Sequence, residues 1–516
     1  MTTMGVTPKA VGADDFALRA PAPVIDVVGS TTTEQSQLGR LATFRLLVWP
    51  NLQSGSYPTL IQRQQPFEQA ALPVIASSRL AGDTKPRRIS DFRGDRRRHT
   101  EVSSVCVIAH DACSIYRQSL LEMSGMSAQV VDSLDAARLI DAAHELGPTI
   151  FALRGDIERE RQLPRSLVET LRSRGFFSLW LAKDFGGPEL SLPDFVRVVE
   201  AVARYDGSVG WCVSVAATYS LFSGFLPEAV ARRIFVEDRS AVAGNLVPLG
   251  RAEVVEGGYR VSGRWPYGSG ITHSEWVLGN CVVHDGDAPR QGTDGTFETT
   301  VAFFPAREAE VIDTWDVGGL RGTGSHDYQV ADVFVQDSHV STGRTPLHPS
   351  SLYAMPFFTA APPTIAAVLL GIARAALDAL IELSRSKTPL LGSKLLREKP
   401  VVQAAIGRSE AMLCAARSFV FEACEDAWKA VIGGAELTLE QRTRVRLSCA
   451  HATDVAKSVV QICYEIGGGT AVYESSPLQR CFRDAHTAAQ HVQVQSGNFE
   501  TVGRVLLGLE PGTWIF

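Results

Sequence analysis

Apolar residues follow three successive rhythms along this chain. From Ser133 to about Ala243 they recur at helical spacing, as in Leu134, Ala137, Ile140 and Ala143, then Leu167 and Leu171 ahead of the apolar run Phe176 to Leu181. Gly186-Gly187-Pro188 breaks that pattern. Leu192 to Tyr205 then predicts an amphipathic helix, and Asp206-Gly207 opens a nearly apolar one near Ser208. Between Asn245 and about Val340 the period drops to two. Glu253 to Val261 reads as a hairpin turning at Gly257-Gly258, and Trp276–Val283, Thr299–Phe304 and Tyr328–Val335 read as further strands of a small antiparallel barrel or sandwich. Past Pro363 the helical period returns: Ile365, Leu369, Ile372, Ala376, Leu380 and Leu383 trace one face, followed by long helices over Val402–Val431 and Leu439–Ile466.

This order predicts an α+β multi-domain chain: a helical domain over 127–243, a β-domain over 244–345 and a helical bundle over 346–516. Residues 1–126 have neither rhythm. Their apolar residues come in clumps such as Leu46 to Trp49, and Lys85 to His99 is an arginine-rich run, so the segment reads as a disordered or non-native extension. Met123 and Met126 stand just before the periodic sequence, which leaves open a natural start there.

Composition narrows the partners. A 516-residue chain with 45% apolar and 21% charged residues buries a large core, and a net charge of -6 supplies no basic field for nucleic acid or an anionic membrane. A small molecule is the expected partner. Nine cysteines without a Cys-x-x-Cys pair suit a reducing compartment, so a cytoplasmic protein with buried thiols and no metal site is expected. The apolar stretch Ala360 to Ala373 holds two prolines and falls short of the roughly 18 residues of a membrane span. No Gly-x-Gly-x-x-Gly follows a strand and opens a helix, so nicotinamide oxidation belongs to another protein.

Several local strings, in order, resemble the acyl-CoA dehydrogenase superfamily over about three quarters of the chain. They are Gly175-Phe176 with Lys183 to Gly187, Gly263 to Gly270, Gly318 to Ser325, Gly467-Gly468-Gly469, Arg483-Asp484 and Gly503 to Gly508. The resemblance implies a helical domain, a middle β-domain and a C-terminal four-helix bundle, assembled as a homotetramer.

The branch is suggested by a missing group. A dehydrogenase needs a carboxylate base to take the proton beside a thioester carbonyl. The stretch after Arg483-Asp484 reads Ala485-His486-Thr487-Ala488-Ala489-Gln490-His491, and no carboxylate follows until Glu500. The spacing to His491 is similar to the oxygenase components of two-component flavin monooxygenases, such as those of p-hydroxyphenylacetate hydroxylase and dibenzothiophene monooxygenase. That resemblance implies hydroxylation of a small, aromatic substrate by O2 through a flavin C4a-hydroperoxide, with FADH2 or FMNH2 delivered by a separate NAD(P)H-dependent reductase. An acyl-CoA dehydrogenase with its base displaced to Glu410 or Glu500, and a flavin-free scaffold, are the alternatives.

What the resemblance implies for single residues follows from it. His491 would act as base or hydrogen-bond partner, and Ser269, a small donor among glycines, would face the reactive edge of the flavin. Tyr219 stands where several relatives carry a histidine, and it can donate but cannot serve as a base near neutral pH. Trp265, Tyr267 and Gly270 would line the flavin pocket, Gly467, Gly468 and Gly469 would let backbone approach the cofactor across a subunit boundary, and Arg385 and Gln403 would reach it from a neighbouring subunit. His486 is expected at the surface or an interface.

Overall fold

Caps fix where the N-terminal helices begin. Ser191 Oγ accepts the Asp194 amide ahead of Leu192–Ala203, and the Asp206 carboxylate accepts the Ser208 and Val209 amides at 2.9 and 3.1 Å ahead of Gly207–Tyr219. The computed structural model describes residues 129–516 apart from 293, 294, 343 and 514, so the expected extension over 1–126 lies outside the described residues.

The helical domain comprises α1 (Gln129–Glu160), α2 (Arg165–Ser173), α3 (Leu192–Ala203), α4 (Gly207–Tyr219) and the short α5 (Glu228–Ala231). The buried face of α1 runs through Ala136, Leu139, Ala143, Leu146, Ile150 and Ile157; Ala137, expected on that face, is exposed. Helix α4 is apolar all round because it is buried from Gly207 through Ser214, packed against α3 and the C-terminal bundle.

The middle domain is one sheet of β1 (Ala243–Val255), β2 (Gly258–Gly268), β3 (Trp276–Asp285), β4 (Ala288–Pro289), β5 (Thr299–Pro305), β6 (Glu310–Ile312), β7 (His326–Gln336) and β8 (Val340–Ser341). Its order is β6-β7-β2-β1-β3-β5-β8, with β4 on β3. The expected all-antiparallel arrangement is corrected at one place: β1 and β3 run parallel, because the chain crosses β2 and a 3-10 turn before returning beside β1. The hairpin turns at Glu256-Gly257, since Gly258 already pairs with Val255. Both faces of β3 and β5 are covered. Leu278, Val301 and Phe303 join the helical core, while Val277, Cys281, Ala302 and Phe304 join a separate β-core.

The bundle consists of α6 (Phe357–Ser386), α7 (Pro400–Ile432), α8 (Leu439–Gly467), α9 (Pro477–Ala488) and α10 (Asn498–Leu506). Helix α6 starts six residues before Pro363 and is long and apolar enough to cross a bilayer. Its apolar window is 72% buried against α3, α8 and α9, as in the central helix of a core. Pro362 has no N–H for the Phe358 carbonyl, and the buried Arg446 guanidinium of α8 donates to that carbonyl instead, at 3.1 Å.

Candidate active site

Ser269 is the first residue after β2, and its buried hydroxyl is met by side chains from two other elements. Trp211, on the first turns of α4, donates its indole N–H to Ser269 Oγ at 3.0 Å. Ser325, at the entrance to β7, lies 2.7 Å from the same oxygen, and Thr323 Oγ1 lies 2.7 Å from Ser325 Oγ. The Trp211 ring in turn meets the His491 imidazole edge-on, 5.6 Å between centroids. The structure therefore brings Ser269 and His491 to one indole. Trp211, Thr323 and Ser325 had no role in the sequence reading. The signal available was a tryptophan one turn past an Asp N-cap and a Thr-Gly-Ser string, both of which read equally well as packing and turn residues.

The loop carrying Thr323 is pinned from the bundle. Leu320 adopts a left-handed conformation, φ 51°, and its N–H donates to Asp484 Oδ1 at 2.6 Å. Gly319 packs so closely on the Arg483 carbonyl that a Cβ would stand 2.2 Å from it. Asp484 and Asp206 share Arg480, at 3.7 and 2.6 Å, so one buried guanidinium joins the α4 cap to the loop behind Ser269. Burial pushes the Asp484 carboxyl up to about 6 despite that arginine.

His491 lies beyond the end of α9 in a run of turns, not on the same helix as His486. It is partly exposed, yet packed densely enough that desolvation pushes its imidazole down to about 4. Nδ1 accepts the Gln493 amide at 3.4 Å, so the network assigns the proton of the neutral ring to Nε2. The turn is tied down by Arg446, which donates to the Gln493 carbonyl and Asn498 Oδ1 at 3.3 and 3.2 Å, to the Phe358 carbonyl and to the Ile515 carbonyl. No carboxylate contacts this guanidinium among the described residues; carbonyl dipoles and the Phe516 ring, 5.7 Å away, face it. His486 is half-buried against Phe482 at 4.4 Å.

Other expected site residues are distributed as follows. Tyr267, φ 63°, is 64% exposed and stands edge-on to Trp315 beside Ser269, with Gly270, φ 79°, following. Tyr219 donates its hydroxyl to the Gly244 carbonyl at 3.1 Å, and desolvation raises its pKa, so it is committed and un-ionised. Trp265 is corrected to a core residue. It is fully buried, donates to the Asn280 carbonyl, stacks on Tyr328 and fills the space above Gly250, Gly263 and Gly279, leaving no face for a cofactor. Gly467 ends α8 with its carbonyl bound by Lys387, and Gly468 and Gly469 follow. Arg385 pairs with Glu382, and Gln403 donates to the Arg397 carbonyl, both in the bundle and facing solvent. Of the two displaced-base candidates, Glu410 is held by Arg374 at 2.6 Å, which lowers its pKa, and Glu500 is exposed on α10.

The chemistry of these groups fits a flavin: a buried hydroxyl for its edge and exposed apolar side chains for its ring. Val247 and Leu249 on β1 and Tyr267 on β2 are exposed apolar residues, Tyr267 two positions before the buried Ser269, and Asn245 donates to the Pro266 carbonyl to hold the two strands together. Beyond the C-terminal end of α4 lies a cavity of about 250 Å³ lined by Phe222, Phe225, Tyr353, Met355 and Phe357. A larger one of about 540 Å³ lies between α2 and the turn Thr272–Glu275, with its Arg172 paired with Glu169 and Glu275. Neither cavity is lined by any of the residues around Ser269.

Residues 142–225 match the family model for the acyl-CoA dehydrogenase N-terminal domain, and residues 363–496 match that for the C-terminal domain. The indole-3-acetate monooxygenase of Pseudomonas putida is 32% identical over 358 residues, covering 69% of this chain and 90% of that one. The chain belongs to the flavin-dependent monooxygenases of the acyl-CoA dehydrogenase fold. Another member, the flavin-dependent monooxygenase oxygenase subunit HsaA of Mycobacterium tuberculosis, is 29% identical over 397 residues, covering 74% of this chain and 98% of its own. The solved structure of XiaF from Streptomyces sp. in complex with FADH2 and glycerol superposes with a TM-score of 0.68 at 27% identity, over 75% of this chain and 98% of that one. The fold and the enzyme class expected from the sequence are those of this family.

Proposed function

We propose that this chain is the oxygenase component of a two-component system that hydroxylates a small aromatic substrate. One observation carries the reading: Ser269 meets a hydroxyl and an indole N–H whose ring packs on a neutral imidazole, and among the described residues no carboxylate contacts Ser269 or His491. Its relatives' names, an indole-3-acetate monooxygenase and an oxygenase subunit, support it. When bound, reduced flavin supplies two electrons, so that one atom of O2 enters the aromatic ring and the other leaves as water. FADH2 or FMNH2 would come by diffusion from a separate reductase.

The residues' parts follow from their geometry. Ser269 would hold the reactive edge of the flavin and Tyr267 its apolar face, with Trp211 fixing the Ser269 rotamer. His491 would present Nε2–H as a hydrogen-bond donor, since its low pKa keeps it neutral across the working range.

Two further assignments belong to this reading. A homotetramer is supported by Leu390 and Leu391, 98% and 100% exposed after α6, and by exposed Val401, Val472 and Tyr473. A cytoplasmic location is supported by buried free thiols at Cys212, Cys281, Cys424, Cys449, Cys463 and Cys481.

The test supplies the purified chain with a flavin reductase, NADH, O2 and a panel of small aromatics including indole-3-acetate. A product one oxygen atom heavier is expected, formed only when flavin is reduced. Bleaching of bound oxidised flavin by an acyl-thioester without O2 would instead establish a dehydrogenase.

A further inference from the structure

Ser269, Ser325 and Thr323 form a series of three buried hydroxyls, and each owns a single proton. At the far end, Thr323 Oγ1 donates to the Leu320 carbonyl at 2.9 Å, which uses its proton. Thr323 can then only accept from Ser325, 2.7 Å away, and Ser325 in turn can only accept from Ser269, also 2.7 Å away. Trp211 has only a donor to offer, and it points into the same Ser269 oxygen. In this order every proton of the series has an acceptor, and Ser269 is left with lone-pair capacity and no free proton. In the reverse order the Thr323 bond to Leu320 is lost and the Ser269 proton faces outward with no partner in the series. That is one hydrogen bond fewer, while the Leu320 carbonyl keeps Trp315 Nε1 at 3.0 Å in either case. Thr323 and Ser325 are buried, so water offers no substitute acceptor inside the series.

We propose that Thr323 and Ser325 make Ser269 an acceptor toward the cofactor, so that the site selects reduced flavin, whose N5 carries hydrogen, over oxidised flavin, whose N5 offers only a lone pair. This rests on the reading of Ser269 as the residue at the flavin edge. Thr323 and Ser325 are positioning residues that set the polarity of a group they do not share with the ligand. The expected role of Ser269 as a donor is thereby reversed. A one-way series suits an enzyme that must take flavin from solution in one redox state and release it in the other.

The experiment measures dissociation constants of the full chain for FAD, FMN and their anaerobically reduced forms, and takes the ratio of oxidised to reduced for each. Thr323→Val keeps the shape and removes the terminal acceptor, so Ser325 turns to donate to Ser269 and the Ser269 proton turns outward. The ratio is expected to fall by roughly three- to tenfold, the worth of one hydrogen bond exchanged for another. Thr323→Ser should restore it. Ser325→Ala, which also frees the Ser269 proton, should lower the ratio even where Thr323→Val folds poorly. A purely structural role would weaken both redox forms alike and leave the ratio unchanged, and that result overturns the proposal. Ser269→Ala separates the two levels: if it alters neither affinity, Ser269 is not at the flavin and the underlying reading falls. If it changes the ratio while Thr323→Val and Ser325→Ala do not, only the polarity is wrong.

Discussion

Trp211 donates its indole N–H to Ser269 Oγ across 3.0 Å, and that bond joins the helical domain to the end of β2. It holds a hydroxyl that would otherwise rotate, and it places the ring against His491. Trp211→Phe keeps most of the ring and removes the donor. The expected result is a stability loss of about 1 kcal/mol in denaturant unfolding, with flavin still bound but a larger share of O2 released as hydrogen peroxide. Peroxide yield per NADH consumed measures the second effect, and wild-type coupling in the variant would remove Trp211 from the site.

His491 sits in a surface turn, so His491→Ala should fold normally and bind flavin while losing hydroxylation yield to peroxide. Because desolvation holds the imidazole down to about 4, wild-type coupling should be flat from about pH 5 to 8. A coupling profile with an inflection near pH 6.5 would show that the ring titrates as though it were solvated.

The fold was legible where periodicity carries the information. The helices over Pro400–Ile432 and Leu439–Gly467 start and stop within two residues of their apolar pattern, since each presents a stripe to one core. The parallel pairing of β1 with β3 was not legible, because alternation reports which face is buried and not which neighbour is bonded. Ser269 stood out by its glycine neighbours and by resemblance. Trp211, Thr323 and Ser325 did not, because a buried hydroxyl series depends on residues 58 and 56 positions apart meeting in space. Trp265 misled for the complementary reason: a tryptophan among glycines looks like a ligand platform, whereas those glycines clear room for its own ring.

Arg446 is a buried cation that donates to carbonyls and one side-chain amide oxygen and packs over the Phe516 ring, and through Gln493 and Asn498 it holds the turn that carries His491. Arg446→Met fills the space but leaves those acceptors unpaired. A loss of about 2–4 kcal/mol is expected, together with the peroxide release of the His491 variant. Arg446→Lys should recover part of the stability and less of the coupling, since one ammonium cannot span acceptors on three segments.

Acid stability carries a signed prediction. His273 and His491 are both pushed down to about 4 by burial, so the unfolded chain binds protons at these sites that the folded chain refuses. Their contribution is fully present above about pH 6.5 and is lost as pH falls through 4. Asp484 runs the other way. Burial raises it to about 6, so its proton favours the folded state, and that contribution is present below about pH 4 and lost as pH rises through 6. Denaturant midpoints followed from pH 7 to 4 should therefore fall less steeply in His491→Gln and more steeply in Asp484→Asn than in the wild type. The second change keeps the Leu320 contact through the amide oxygen while removing the titrating group. An acid slope that Asp484→Asn leaves untouched would mean that Arg480 keeps this carboxylate ionised throughout, and that the loop behind Ser269 is held by an ion pair at every pH in the range.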